Sequence, residues 1–315
     1  MLQDTPPKMS DLTEYSVLQD RFRGVLVGLA IGDALGGPLE FQPPSQDGAF
    51  VTEMIGGGWQ QLQPGEWTDD TAMSLCVTES LLVKRVFDPD DIAGRFVEWL
   101  KSQPKDIGVH TNRVLQSIAA GETWETASLQ THEMQPDDAG NGSLMRCAPL
   151  SLFFFRHPEF LSELSPILSR ITHAHPDCEQ ACVFVNVLIS ALLHGVRTVD
   201  AIESAYEAIA GVAPELTERI GRAMGPECAA QPTGWVLDTL EVSLWHFLHA
   251  ESFEEAIVKC INLGGDADTI GAITGAIAGA RFGYSGIPSR WIAAVRNGQS
   301  LKEYADRLLE LACTS

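Results

Sequence analysis

Gly264-Gly-Asp-Ala-Asp-Thr-Ile-Gly-Ala-Ile-Thr-Gly-Ala-Ile-Ala-Gly279 sets two carboxylates, Asp266 and Asp268, one residue apart, adds the hydroxyl of Thr269, and then runs on without charge and with mostly small side chains. The uncharged part predicts a buried helix. Gly271, Gly275 and Gly279 recur every four residues, so they share one helix face and leave a groove into which another backbone can settle. A single carboxylate at a helix start is ordinary capping and compensation of the helix dipole. Two so close, at the mouth of an apolar helix, repel one another unless one is protonated or a cation lies between them.

Trp67-Thr-Asp-Asp-Thr71 repeats the arrangement, placing hydroxyls and paired acids ahead of the apolar, helix-like run from Ala72 to Val83. Hard oxygen ligands of this kind suit Mg2+, Mn2+ or Ca2+ rather than zinc. Each acid pair taken alone also reads as a capped, solvated helix end. Together they favour a shared site, provided the fold brings both helix starts to one place. Gly24, Gly28 and Gly32, in Gly24-Val-Leu-Val-Gly-Leu-Ala-Ile-Gly-Asp33, form a second groove of the same spacing, and two grooved helices can cross at short distance. Asp33 lies inside that apolar run. If buried it needs a partner, and a hydrogen bond supporting the acidic loop is one reading; a helix end facing solvent is the other.

A chain of 315 residues with 45% hydrophobic content can bury a sizeable core. No repeat or low-complexity tract divides it. A single domain over 15–315 is expected, after a mobile tail over 1–14 that is polar, holds Pro6-Pro7 and lacks the apolar core of a signal peptide. The net charge of −21 argues against a nucleic-acid surface, because phosphate backbones are held by clustered Lys and Arg. Gly24 to Leu35 comes nearest to a membrane span, but it is short and Asp33 interrupts it, so no membrane is expected. Seven cysteines without paired spacing point to reduced thiols and a cytoplasmic location. His173, His175, Cys178 and Cys182 can be drawn as a zinc site, yet Cys178 and Cys182 fall one turn apart on an apolar helix and read better as core.

From Val17 onward apolar residues recur at three and four, and strand-like alternation shows only around Phe50 to Met54. The first helix is expected over Phe22 to Leu35, stopped by Gly36-Gly37-Pro38, with Glu40 on the loop beyond. Residues 42–66, rich in Gly, Gln and Pro, predict a long irregular loop, and such loops are often functional. Further helices are expected over Leu75 to Lys84, Asp91 to Lys101 and from Asn112, the last preceded by Asp106 in Pro104-Lys-Asp-Ile-Gly108. Gly140-Asn-Gly-Ser143 would open a helix with free N–H groups and no bulky side chains, which suits a phosphate, although Gly-Asn-Gly is also an ordinary turn. The fold class is all-α: one compact globule of about a dozen or more helices, its chemistry on loops at helix starts.

Gly32-Asp-Ala-Leu-Gly36 with Glu40, Trp67-Thr-Asp-Asp-Thr71, Gly140-Asn-Gly-Ser-Leu-Met-Arg146, Thr172-His173 and Gly265-Asp-Ala-Asp-Thr-Ile-Gly271, in this order, resemble the ADP-ribosylglycohydrolase family. Its members include dinitrogenase reductase-activating glycohydrolases, eukaryotic ADP-ribosyl-acceptor hydrolases and a crystallin branch. The likeness runs from about Arg21 to Trp291. It implies a binuclear Mg2+ or Mn2+ centre and hydrolysis of the bond joining ADP-ribose to a modified side chain. By motif position, Thr68, Asp69 and Asp70 would hold one metal, and Asp266, Asp268 and Thr269 the other, with Asp268 bridging. Glu40 matches an acid near the metals; Gly140, Asn141, Gly142, Ser143 and His173 match positions lining the ADP-ribose pocket. Asp106 matches a motif of the bacterial arginine-directed members.

Cleavage at the ribose passes through an oxocarbenium-like centre, so the protein must orient the sugar and supply an activated water. Of the candidate catalytic acids, Asp69, Asp70 or Glu40 could take or give a proton and Asp106 could hold the arginine side in a forked hydrogen bond; which acid protonates the leaving nitrogen stays open. Arg146 could pair with the diphosphate or neutralise a buried acid. Trp67 and Trp291 read as packing rather than adenine stacking, Met73 and Met145 as core. The expected substrate is an ADP-ribosylated protein, or ADP-ribose itself, and the expected state is a monomer. Arginine-linked ADP-ribose is the leading reading; an O-linked serine conjugate, or a non-catalytic ADP-ribose-binding, crystallin-like protein, are the alternatives.

Overall fold

Fifteen α-helices carry the chain in the computed structural model, which describes residues 12–46 and 49–314. They are α1 (Leu12–Gly36), α2 (Asp69–Lys84), α3 (Pro89–Lys101), α4 (Val109–Ala119), α5 (Trp124–Met134), α6 (Pro149–Phe153), α7 (Leu161–Arg170), α8 (Pro176–Leu193), α9 (Thr198–Ile209), α10 (Pro214–Ala223), α11 (Val236–Leu248), α12 (Phe253–Ile261), α13 (Ala267–Phe282), α14 (Ser289–Ala294) and α15 (Gly298–Thr314). Proline occupies the first turn of α3, α6, α8 and α10, where its missing N–H costs nothing. The tail expected over 1–14 falls, up to Asp11, outside the described residues, and α1 begins at Leu12.

The two glycine grooves face each other. Helices α1 and α13 run antiparallel, with Gly24 against Gly279, Gly28 against Gly275, Gly32 against Gly271 and Gly36 against Ala267. A Cβ added at Gly28 would lie 2.4 Å from the Gly275 carbonyl oxygen, and one at Gly275 would lie 2.1 Å from that of Gly28. The helices therefore touch backbone to backbone, and at the three glycine–glycine crossings only glycine fits. Every residue of α13 from Ala267 to Ala280 is buried, which explains why its sequence has no polar face. Around this pair α8, α11, α12 and α15 close the core.

The structure differs from the sequence reading at four places. Helix α2 starts at Asp69 rather than Leu75, so the first acid pair is itself the opening turn. Helix α5 has no sequence signature because its buried face is small and half polar, Trp124 and Ala127 with Ser128 and Thr131, and carries no apolar period. Residues 50–54 form no strand: Val51 exchanges hydrogen bonds with the side chain of Asn262 (2.8 and 2.9 Å), and Trp291 Nε1 donates to the Thr52 carbonyl (2.8 Å). The apolar run of α1 is also longer than its sequence reading. Thr13–Leu39 and Pro176–Leu193 are long and apolar enough to cross a membrane, and 89% and 67% of an apolar 18-residue stretch in each is buried inside the fold.

Candidate metal centre and active site

Asp33, near the C-terminal end of α1, is fully buried and caps a helix other than its own. Its Oδ1 accepts from the Thr68 N–H (2.8 Å) and hydroxyl (2.9 Å), and its Oδ2 from the Thr71 N–H (3.0 Å) and hydroxyl (2.6 Å). Thr68, at the N-cap of α2, makes no side-chain capping bond of its own. Asp33 thus takes two of the N–H donors at that helix start, so neither Asp69 nor Asp70 is needed to cap it. Burial pushes the Asp33 carboxyl up to about 6, with the four donors opposing. Asp266, the N-cap of α13, likewise makes no capping bond; its Oδ2 accepts from Asn141 Nδ2 (2.6 Å), which also donates to Thr239 Oγ1 (2.8 Å).

The two acidic helix starts meet. Glu40, Asp266 and Asp268 each offer a carboxylate oxygen within 4.8 Å of the others, an acidic group able to hold a metal ion. Burial, then repulsion from Asp70 and Asp266, drives the Asp268 carboxyl well above its usual range; burial and Asp33, Asp69 and Asp266 do the same to Asp70. Asp69 is raised by burial and by Asp106. Buried carboxylates packed this way need protons or a cation. The donor set fits a hard cation: all oxygen, with Asp70 Oδ1 buried and without a hydrogen-bond partner. The zinc alternative fails, since Cys178 Sγ donates to the Gly140 carbonyl (3.1 Å) and Cys182 to the Ser143 hydroxyl (3.7 Å), both as core thiols.

Gln60, which carries no motif in the sequence, ties the acids to the loops. Its Nε2 donates to both Glu40 Oε2 (2.8 Å) and Asp106 Oδ2 (2.5 Å), and Trp59 Nε1 adds a second bond to Glu40 (2.7 Å). Burial first, and then Asp106, raise the Glu40 carboxyl to about 8. Phe41 sits at φ 59°, a left-handed backbone that a bulky residue rarely adopts. Its N–H donates to the Gly265 carbonyl (2.6 Å) and the Gly265 N–H to that of Gln42 (3.1 Å), so the Glu40 loop and the Asp266 loop are clasped together. Length and composition mark the irregular stretch that supplies Trp59 and Gln60 as functional, but not the partners of these two side chains.

A cavity of about 480 Å3 opens over the cluster, lined by Glu40, Asp69, Asp106, Asp266, Asp268 and Thr269 together with Gly140, Asn141, Gly142, His110 and His173. His173 is buried against Gly142, where a Cβ would come 2.9 Å from its ring. Arg146 Nη2 donates to Thr172 Oγ1 (2.7 Å), so the hydroxyl's own proton goes to His173 Nδ1 (2.7 Å) and the ring keeps its proton on Nε2. Burial, His110 and Arg146 hold that ring neutral, well below the ordinary histidine range. Arg146 pairs with neither diphosphate nor acid: it is fully buried, bonds the Gly142 carbonyl (2.8 Å) and lies over Phe96. Ser143 does not face the cavity; it is fully buried and its hydroxyl accepts from Ser169 (2.8 Å). Nor does the Gly140 turn open a long helix, since a single 3-10 turn (Leu144–Arg146) follows and the Asn141 N–H is already bonded to the Gly234 carbonyl (3.0 Å). His110 is a site residue that no sequence pattern marks; it stacks on His173 (4.5 Å between centroids) and bonds Asp138 and the Thr172 carbonyl.

The raised carboxyls predict a pH dependence. A carboxyl lifted on folding contributes its full stability below the unfolded value, near pH 4, and loses it as pH rises through the folded one. His173 and His246, held neutral by burial, act with opposite sign below about pH 6.5. Between pH 6.5 and 8 the chelator-treated protein should therefore melt progressively earlier, as Glu40, at about 8, and its neighbours ionise. Mg2+ or Mn2+ should raise the melting temperature more at pH 8 than at pH 6.5. A chelated protein whose melting temperature climbs across this interval contradicts the electrostatics of the cluster.

Comparison with known proteins agrees with this geometry. The profile of the ADP-ribosylglycohydrolase family matches residues 14–315. The chain is 34% identical over 301 residues to an ADP-ribosyl-[dinitrogen reductase] glycohydrolase of Rhodospirillum rubrum, covering 94% of this chain and 97% of that one. It is 33% identical over 320 residues to ADP-ribosylarginine hydrolase Tri1 of Serratia proteamaculans, with 98% and 83% covered. The solved structure of an ADP-ribosylglycohydrolase-related protein complex superposes with a TM-score of 0.82 at 36% identity, covering 94% of this chain and 99% of that chain.

Proposed function

Because the chain belongs to the ADP-ribosylglycohydrolase family, a family of hydrolases, we propose that it cleaves the N-glycosidic bond between ADP-ribose and a modified protein arginine. The observation that carries this reading is the convergence of both acidic helix starts and Asp106 on one cavity. Thr68, Asp69, Asp70, Asp266, Asp268 and Thr269 would hold two Mg2+ or Mn2+ ions, which supply an activated water and charge to orient ribose hydroxyls. The rest falls to the chain itself. His173 offers its Nε2–H, and Gly140 and Gly142, which carry no side chains, let a diphosphate or ribose approach the backbone closely. Asn141 fixes the orientation of Asp266.

Asp106 faces the leaving side. A forked pairing with the guanidinium would position the scissile nitrogen, while Gln60 sets its distance from Glu40. Burial raises the Asp106 carboxyl, and a guanidinium beside it would restore the ionised form that the forked pairing needs. Relatives named as arginine hydrolases support arginine over serine. Assayed side by side, arginine-linked ADP-ribose should be cleaved at least about ten-fold faster than the serine-linked conjugate, a difference of about 1.4 kcal/mol in the barrier. EDTA should abolish both. Equal or reversed rates would move the assignment to O-linked conjugates, and tight ADP-ribose binding without turnover would make the chain a binding protein.

A further inference from the structure

Among the described residues, no lysine or arginine lines the cavity over the acidic cluster, although the ligand proposed for it carries a diphosphate. Glu40, Asp69, Asp106, Asp266 and Asp268 belong to the end where cations would offset them. Asp138 is a different case. It lines the cavity beside the glycine turn, its Oδ1 4.0 Å from where a Cβ on Gly140 would stand, and so borders the approach left for the diphosphate. A carboxylate left uncompensated there would repel an anion. The basic side chains on the wall are two histidines, His110 and His173, and His173 is neutral.

The hydrogen bonds of His110 fix its charge. Its Nε2 lies 2.9 Å from the Thr172 carbonyl oxygen and its Nδ1 3.0 Å from Asp138 Oδ2, in a side chain only 9% exposed. A carbonyl and an ionised carboxylate can only accept, so each ring nitrogen must bring a proton. Either neutral tautomer would set a nitrogen lone pair against an oxygen lone pair at one of these two contacts. His110 is therefore an imidazolium paired with Asp138. Its ring lies nearly face to face with that of His173, the centroids 4.5 Å and the planes 27° apart. A second proton on His173 would have to sit on Nδ1, where it would break the bond from the Thr172 hydroxyl that aims the ring. Positive charge so close opposes that proton. We propose that His110 is a charged positioning residue at the diphosphate end of the cavity, cancelling Asp138 and keeping His173 a neutral donor at Nε2. The assignment rests on the ADP-ribose reading above.

Long-range hydrogen–nitrogen NMR of the intact protein with isotope-labelled histidine, near neutral pH, should show protons on both ring nitrogens of His110 and on Nε2 alone of His173. Calorimetric titration of ADP-ribose with Mg2+ present reads the consequence. His110→Phe keeps the stack on His173, and His110→Gln keeps an N–H for the Thr172 carbonyl. Each removes the charge, and each should raise the Kd for ADP-ribose at least about ten-fold. Adding Asp138→Asn to either should bring the Kd back to within about three-fold of the wild-type value, because the acid that needed cancelling is gone. A histidine kept only for packing would not be rescued in this way, and the double variant would bind worse still. Melting temperatures show which variants are folded. The inference is overturned if His110 carries a single ring proton, if the folded single variants keep the wild-type Kd, or if Asp138→Asn gives no recovery. A wild-type protein that binds no ADP-ribose would instead overturn the reading on which the assignment rests, and the NMR spectra would still decide the charge of His110.

Discussion

Asp268→Ala is expected to lower turnover of ADP-ribosyl-arginine by at least about 1,000-fold, roughly 4 kcal/mol of transition-state stabilisation, while the metal-free protein keeps or gains thermal stability. The two halves of that expectation come from one fact. Asp268 is buried, and its main electrostatic neighbours, Asp70, Asp266, Glu40 and Asp33, are all acidic. Removing it relieves repulsion in the chelated protein, and at pH 8 the relief is greatest because the neighbours are then most ionised. The single hydrogen bond lost inside the chain is to the Thr269 N–H, at 2.9 Å. A residue kept only for the fold would behave in the reverse way, with stability falling and activity following it. Paired melts and single-turnover assays separate these outcomes; full activity in a stable Asp268→Ala protein would remove the acidic centre from the reaction.

Gly275→Val should leave no native protein. Its Cβ would meet the Gly28 carbonyl oxygen at 2.1 Å and the Gly28 carbonyl carbon at 2.7 Å, both backbone atoms of a buried helix that no rotamer change can move aside. Ordinary core overpacking costs roughly 1–3 kcal/mol where side chains can yield. Here the yielding must come from separating α1 and α13 along the whole seam, against a total stability of roughly 5–15 kcal/mol for a natural domain. Gly221→Ala in α10 is the matched control, because nothing lies within 4 Å of its added methyl. It should be neutral or stabilising by up to about 1 kcal/mol through helix propensity. Soluble yield and far-UV circular dichroism read both. A folded, cooperative Gly275→Val protein would show that the seam is not a close backbone crossing.

The glycine periods in α1 and α13 are legible in the sequence alone, because a four-residue repeat of one residue type is a local pattern with one geometric meaning. The acid pairs are legible for the same reason, and Asp33 stands out as needing a partner because it breaks an apolar run. Pairing between distant loops is not legible in this way. Gln60 bonding both Glu40 and Asp106, Asn141 orienting Asp266, and His110 stacking on His173 depend on chain segments that share no local signal. Ser143 misleads because a Gly-Asn-Gly-Ser turn looks alike whether its hydroxyl faces the cavity or, as here, Ser169. Helix α5 escapes because Ser128 and Thr131 stand where periodicity looks for apolar residues.

The seam between α1 and α13 joins segments separated by nearly the whole chain. During synthesis the apolar first helix leaves the ribosome long before the surface that fits it has been made. Its buried stripe must be sheltered in the meantime by looser contacts or by a chaperone. The acidic cluster, which draws on both sides of that seam, is then among the last features of the molecule to be assembled.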